Sequence, residues 1–346
     1  MRRGRLTVLA GAICLLLAMV VFAAPATAKV FNLKLQSFQV GWEHERTVTL
    51  FCPLIETLTN GTVKVKPFPA GSLVPVPEVE DALRTGLLDI AIVPEGYPGT
   101  PKVAEIAAGL PYSFRNLHEA WVFMWHRGFV DIMRKEYAKQ NVYVIPYENY
   151  DTGLMTNKPI NRIADLKGMK IRTHSSMADW IVAAGGSATY IPAGEVYTAL
   201  ATGVADGATW GDAGPMYEMK FPEILKNYML PDPTAGCWNS LHISMNAWKE
   251  FTPEQKKAVE AAAMLAGRIT QQQTRAMYWR ALESMVKDFG VSINELSNEE
   301  QVLGKEVARR SWEKIAKKDP LNAEVIDKIK VFLDEKEVCF ETKLPW

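Results

Sequence analysis

The sequence predicts an α/β fold in two lobes, and three observations predict it. Strand and helix signals alternate almost throughout the first two thirds of the chain, the signature of a mainly parallel sheet with covering helices. The alternation begins afresh from Thr156, as a second lobe would. After Thr252 a helical pattern runs on with no stop signal before Gly290, long enough at roughly 55 Å to bridge two lobes.

The elements follow in order. Phe31 to Phe38 alternates as a strand, and His44 to Thr59 carries Val48, Phe51, Ile55 and Leu58 at helical spacing before stopping at Asn60-Gly61. Pro53 inside that pattern is expected to kink the helix or shift its start. Thr62 to Phe68 sets valines against lysines as a second strand. A Pro-rich loop, Leu73 to Pro77, leads into a short helix over Glu78 to Thr85 and an apolar strand over Leu87 to Val93. The loop beyond that strand, Pro94 to Gly99, lies where open α/β sheets bind ligands. Asn116 and Glu119 form a capping box for a helix carrying Trp121, Val122, Trp125 and Phe129, and Asn141 to Tyr147 is the next strand.

In the second lobe, strands are expected at Met169 to Thr173, Ala188 to Pro192 and Asp206 to Trp210, with helices over Met177 to Ala184 and Glu195 to Thr202. Trp238 to Met245 reads as a strand leading away, so that crossing strands would leave a cleft between the lobes. Thr252 and Gln255 cap the long helix, with Pro253 at its first position, and Ser297 with Glu300 caps another. The expected division is a leader over residues 1–28, a first lobe over 29–150 completed by segments after 245, a second lobe over 151–240, and a crossing strand, bridging helix and terminal helices over 241–346.

Composition bounds the function. With 48% hydrophobic and 23% charged residues in 346, disorder is excluded, and 39 basic against 39 acidic side chains argue against a nucleic-acid surface. Arg2, Arg3 and Arg5, the apolar run Leu6 to Ala24 and Ala26-Thr27-Ala28 together form an export signal, with cleavage expected after Ala28 and a soluble periplasmic product. Cys52, Cys237 and Cys339 then allow at most one bridge, and buried unpaired thiols are the expectation.

Catalytic signatures are missing. No G-x-S-x-G elbow, Walker loop or G-x-G-x-x-G turn occurs, and His44, His118, His126, His174 and His242 show no zinc spacing. Each histidine reads as a surface or hydrogen-bonded core residue, and no enzyme activity is expected.

The positive signal is an ordered set of segments: Gly86 to Val93, Leu110 to Phe114, Leu166-Lys167-Gly168-Met169-Lys170-Ile171-Arg172-Thr173, and Ala193 to Gly207. Spread over most of the chain, they make it resemble the extracytoplasmic solute receptors of tripartite ATP-independent periplasmic (TRAP) transporters. The resemblance implies a two-lobed periplasmic binding protein fold that closes on a small organic acid and delivers it to membrane permease subunits. It also implies that Arg172 pairs with the ligand carboxylate, a role suited to a planar, permanently charged guanidinium.

Departures from the family pattern narrow the ligand. Many dicarboxylate and sialic-acid receptors have a second arginine about twenty residues earlier, where this chain has Tyr150-Asp151-Thr152-Gly153, so a monocarboxylate is expected. Asp206 to Asp212 is similar to the branch that binds 2-oxo and 2-hydroxy acids through a bridging cation. Here Thr209 and Asn239 stand where that branch has acids, which argues against the cation; no cofactor is expected. Asp212 is either a substitute metal ligand or a helix N-cap, with the cap favoured. Trp42, Tyr97, Tyr150, Trp210 and Trp238, placed in loops or at strand ends, are candidates to wall the pocket, and Glu95 to bond a ligand hydroxyl or amine. The rivals are a binding protein feeding a sensory receptor and a secreted enzyme on the same fold.

Overall fold

A computed structural model describes residues 29–341, apart from the side chains of Trp42 and residues 336–341. The leader with its expected cleavage, the Trp42 ring and the Cys339 thiol therefore lie outside the described residues. Among the described residues there are nine strands: β1 (Phe31–Ser37), β2 (Val63–Phe68), β3 (Ile90–Pro94), β4 (Val142–Thr156), β5 (Lys170–Arg172), β6 (Ser187–Thr189), β7 (Gly207–Thr209), β8 (Asn227–Ser244) and β9 (Ser292–Glu295). They form one mixed sheet in the order β2-β1-β3-β8-β4-β7-β5-β6, with β9 on β8.

Strands β4 and β8 pair antiparallel over nearly their whole length and carry the two lobes. At one end β3 pairs with the 239–243 stretch of β8; at the other β7 pairs with residues 154–156 of β4. Between these anchors the β4–β8 register slips at Pro146/Glu148, Tyr150/Asp151 and Thr152/Leu154. Such irregularities twist a ladder and re-aim its side chains, here where the lobes meet.

The helices that position the site are α1 (Gly41–Leu58), α2 (Val79–Thr85), α3 (Leu117–His126), α4 (Phe129–Lys139), α5 (Ser175–Ala183), α6 (Ala213–Glu218), α7 (Pro253–Phe289), α8 (Asn298–Ala316) and α9 (Pro320–Glu341). Helix α7 opens on the capping box, with Thr252 accepting from the Gln255 amide and Gln255 accepting from that of Thr252, and closes on left-handed Gly290. It lies against β4 on a face of small residues, Ala262, Ala263, Ala266 and Gly267. A Cβ on Gly267 would stand 1.7 Å from the Tyr147 carbonyl oxygen, so only glycine permits this approach.

Several expectations need correction. The strand expected to end at Tyr147 continues to Thr156, and the one expected from Trp238 begins at Asn227. Tyr150 and Trp238 are therefore inside strands, where burial on both faces removes the polar alternation that marks a half-exposed strand. The aromatic helix is two helices, because Gly128 turns left-handed between α3 and α4 and puts Phe129 on the second. Helix α1 begins three residues before His44 and runs on past Pro53.

One pair of apolar clusters gathers residues from β1, β3, α1, α4 and α9; another gathers Met155, Ile171, Trp180, Phe221 and Tyr228 with the later half of α7. Cys52 and Cys237 are free thiols, and Cys237 is buried with its Sγ 3.1 Å from Thr152 Oγ1 and 3.0 Å from Thr234 Oγ1. Among the described residues no helix is long and apolar enough to cross a membrane.

Candidate functional site

Strands β5 and β7 run parallel as neighbours, and their carboxyl ends open onto the interlobe cleft. Ile171 turns into the core, so its neighbour Arg172 turns the other way, as the period of a strand requires. The Arg172 side chain is held by backbone carbonyls: Nε donates to Ile191 O and Nη1 to Thr209 O, both at 3.1 Å. The Trp210 ring covers the guanidinium at 4.6 Å. Arg172 is 1% exposed, and its Nη2 has no hydrogen-bond partner. A buried cation fixed by neutral groups with one donor unspent is costly to maintain, and an anion in the cleft would satisfy it.

Two residues further, His174 is buried with Nδ1 unpartnered. Burial and then the Arg172 charge push it down to about 3, so the ring is a neutral imidazole. Tyr97 meets it edge-on at 5.0 Å between ring centres. Burial raises the Tyr97 phenol, with the Arg172 charge opposing, so the hydroxyl keeps its proton.

The opposite end of the cleft is acidic. Glu43 and Arg46, about one turn apart on α1, share a face of the helix, and β4 brings Glu148 to them. Glu148 accepts from Asn239 Nδ2 at 3.2 Å and from Thr274 Oγ1 at 3.3 Å, with Arg46 Nη2 3.8 Å away. Burial raises Glu43 to about 7, Arg46 opposing and Glu148 adding to the rise; the Trp210 indole bonds the Glu43 carboxyl. Trp210 thus links the Arg172 end to the Glu43 end. The cavity left between these walls is compact, about 50 Å³.

The structure brings six of the sequence candidates onto the cavity wall: Arg172, Trp210, Tyr97, Tyr150, Thr152 and Asn239. Three others lie elsewhere. Glu95 is fully buried in the first lobe, accepting from the Tyr137 hydroxyl at 2.5 Å with His242 Nε2 at 3.5 Å. Trp238 is packed in the apolar core. Asp212 caps α6 through the Gly214 amide at 2.9 Å and stands 4.0 Å from Arg275. Asp151, in the segment that lacks the second arginine, faces Arg275 at 2.9 Å and does not line the cavity. Glu43 and Glu148 are the acids that do.

Glu43, Arg46, Glu148, His174 and Thr274 escaped the sequence reading. Their only linear signal was the helical spacing of Glu43 and Arg46, which many solvated helix faces share. Of the oxygens a bridging cation would use, Asp212 Oδ1 is engaged in its cap, while Asn239 spends its Nδ2 on Glu148 and keeps Oδ1 unpartnered. Among the described residues no three His, Cys, Asp or Glu side chains converge as metal ligands.

Comparison with known proteins agrees with this geometry. The family model for bacterial extracellular solute-binding protein, family 7, matches residues 42–319. A monocarboxylate 2-oxoacid-binding periplasmic protein of Nostoc sp. is 26% identical over 288 residues, covering 80% of this chain and 77% of the relative. Among solved structures, a TRAP transporter solute-binding protein of Bordetella bronchiseptica with calcium and picolinate superposes with a TM-score of 0.83 at 20% identity, covering 91% of this chain and 95% of the other. A TRAP periplasmic solute-binding protein of Pseudoalteromonas atlantica with sodium and pyruvate also gives 0.83, at 17% identity and 91% and 97% coverage. At these identities the structures establish the two-lobed fold.

Proposed function

Because the chain belongs to family 7 of the bacterial extracellular solute-binding proteins, we propose that it is a periplasmic receptor for a small monocarboxylic acid, clamped by Arg172 and delivered to a TRAP membrane permease. The observation that carries this reading is the buried Arg172 guanidinium, with two donors on backbone carbonyls and Nη2 unpartnered beside the cavity. A carboxylate arriving there receives a charge-assisted hydrogen bond in a site largely closed to water, where such bonds are strongest.

The far end argues for one carboxylate only. A second anion there would have to take Arg46 from Glu148 and face the Glu148 carboxylate, whereas a hydroxyl or similar donor finds carboxyl oxygens and the unpartnered Asn239 Oδ1. A 2-oxo or 2-hydroxy acid with one charged end matches that polarity, and the Nostoc relative is named for such ligands. The neutral His174 adds no charge at that end, and Tyr97, in side-chain hydrogen-bond contact with Arg172, keeps its proton.

Binding would favour closure because the ligand touches Arg172 on one lobe and the Glu43–Asn239 wall on the other, contacts that coexist only when the lobes are together. The receptor needs no catalysis. Mass spectrometry of small molecules released on denaturing the purified protein identifies the natural solute. In a thermal-shift series, pyruvate and lactate are expected to raise Tm more than malonate and succinate at equal concentration. Greater stabilisation by the diacids, or recovery of pyruvate chemically altered after incubation, overturns the reading.

A further inference from the structure

The long helix α7 buries one face against the crossing strands and leaves an apolar seam on the other. Leu265 is 49% exposed, Trp279 68% and Val286 45%, all unusual for residues of their size. Together with exposed Arg268, Gln272, Arg275, Ala276 and Glu283 they recur at intervals of three and four along one side of the helix. This is the spacing with which two helices interlock, and a seam of this kind wants a second helix.

The order of residues along the seam specifies which helix. Place a second copy antiparallel, with a two-fold axis passing between Arg275 and Ala276. Leu265 then faces Val286 of the other copy, Gln272 faces Trp279, and Arg268 faces Glu283, every layer occurring twice by symmetry. Apolar meets apolar, the one acid in the seam meets a base, and Trp279 lies over the aliphatic stem of a glutamine. Arg268 and Glu283 now make contacts within their own helix, to Gln271 and Lys287, that an exchange across the axis can replace. A parallel arrangement instead puts Arg268 on Arg268 and Glu283 on Glu283.

We propose that this face of α7 is a self-complementary docking surface for a second copy of the chain, an antiparallel pairing that leaves the ligand cleft of each copy free. The area of one helix pair places the contact at the weak end of protein interfaces, with Trp279 as its anchor. The reading is independent of the ligand.

Sedimentation velocity of the purified protein from about 1 to 100 μM covers the range expected for a contact of this size. The mass is expected to double across the series. Trp279→Glu should hold it at the monomer value, with circular dichroism unchanged because the side chain is exposed. Arg268→Glu and Glu283→Arg should each weaken the association about tenfold, and the two together should bring it back to within about threefold of wild type, the signature of a direct pair. A monomer throughout the series, which would leave the face to a membrane partner, overturns the proposal. So does a dimer indifferent to Trp279→Glu, and failure of the double variant to recover overturns the antiparallel register.

Discussion

Arg172, buried, and Arg46, partly buried, stand at the two ends of one cleft and are held in different ways. Arg46 sits among carboxylates, 3.8 Å from Glu148 and beside Glu43, so its charge is balanced within the protein. Arg172 has backbone carbonyls and a tryptophan face, which orient it without neutralising it. Burying a cation without a counter-ion costs several kcal/mol, and the chain recovers that cost only when an anion binds. One arginine therefore belongs to the architecture and the other to the ligand.

Replacing each separates the two roles. Arg172→Met is expected to lose at least about 100-fold in affinity for pyruvate or the natural solute, as breaking a buried charge pair does. Calorimetry of purified protein measures it, and the ligand-free Tm should hold or rise because an unpaired buried charge has gone. Wild-type affinity in this variant would remove the clamp. Arg46→Met should show the reverse signature: it strands Glu43 and Glu148, lowering unfolding free energy by about 3 kcal/mol in denaturant titrations. Equal stability would mean that Arg46 is not their counter-ion.

The acidic end also predicts a pH dependence. Glu43 is held at about 7 in the fold against an ordinary 4.5, so the fold prefers its neutral form. The stability that proton contributes is complete below pH 4.5 and is lost as pH rises through about 7. Glu43→Gln is neutral throughout, so the Tm of the wild type should fall relative to this variant between those two values. Parallel curves would show that Glu43 titrates normally. The smallest effect belongs to Thr152, whose hydroxyl lies 3.1 Å from Cys237 Sγ on the cavity wall. Thr152→Val should change affinity by less than about threefold, the size of a weak neutral hydrogen bond; a tenfold loss would promote Thr152 to a principal ligand contact.

Much of the fold was legible because it rests on short-range physics. The α7 boundaries follow from a capping box and a terminal glycine, and the second-lobe strands and helices lie within a few residues of where their apolar spacing puts them. The crossing strands outrun their expected bounds because the middle of β4 carries Tyr150-Asp151-Thr152-Gly153, where Asp151 and Thr152 are polar residues buried by other elements. Arg172 was legible through its motif. The acidic wall was not, since Glu43, Glu148 and Thr274 come from a helix, a strand and a second helix spread over more than two hundred residues of sequence.

By itself the sequence determined which segments form helices and strands, that Arg172 sits at the end of a strand opening onto a cleft, and the family to which the chain belongs; these depend on neighbours a few positions apart. Only the tertiary structure decided that Glu95 and Trp238 serve the core, that Asp212 serves a helix end, and that two glutamates face the arginine across the cavity. Charge and burial act through space, and a linear order does not record which distant side chains share a volume with too little water to screen them.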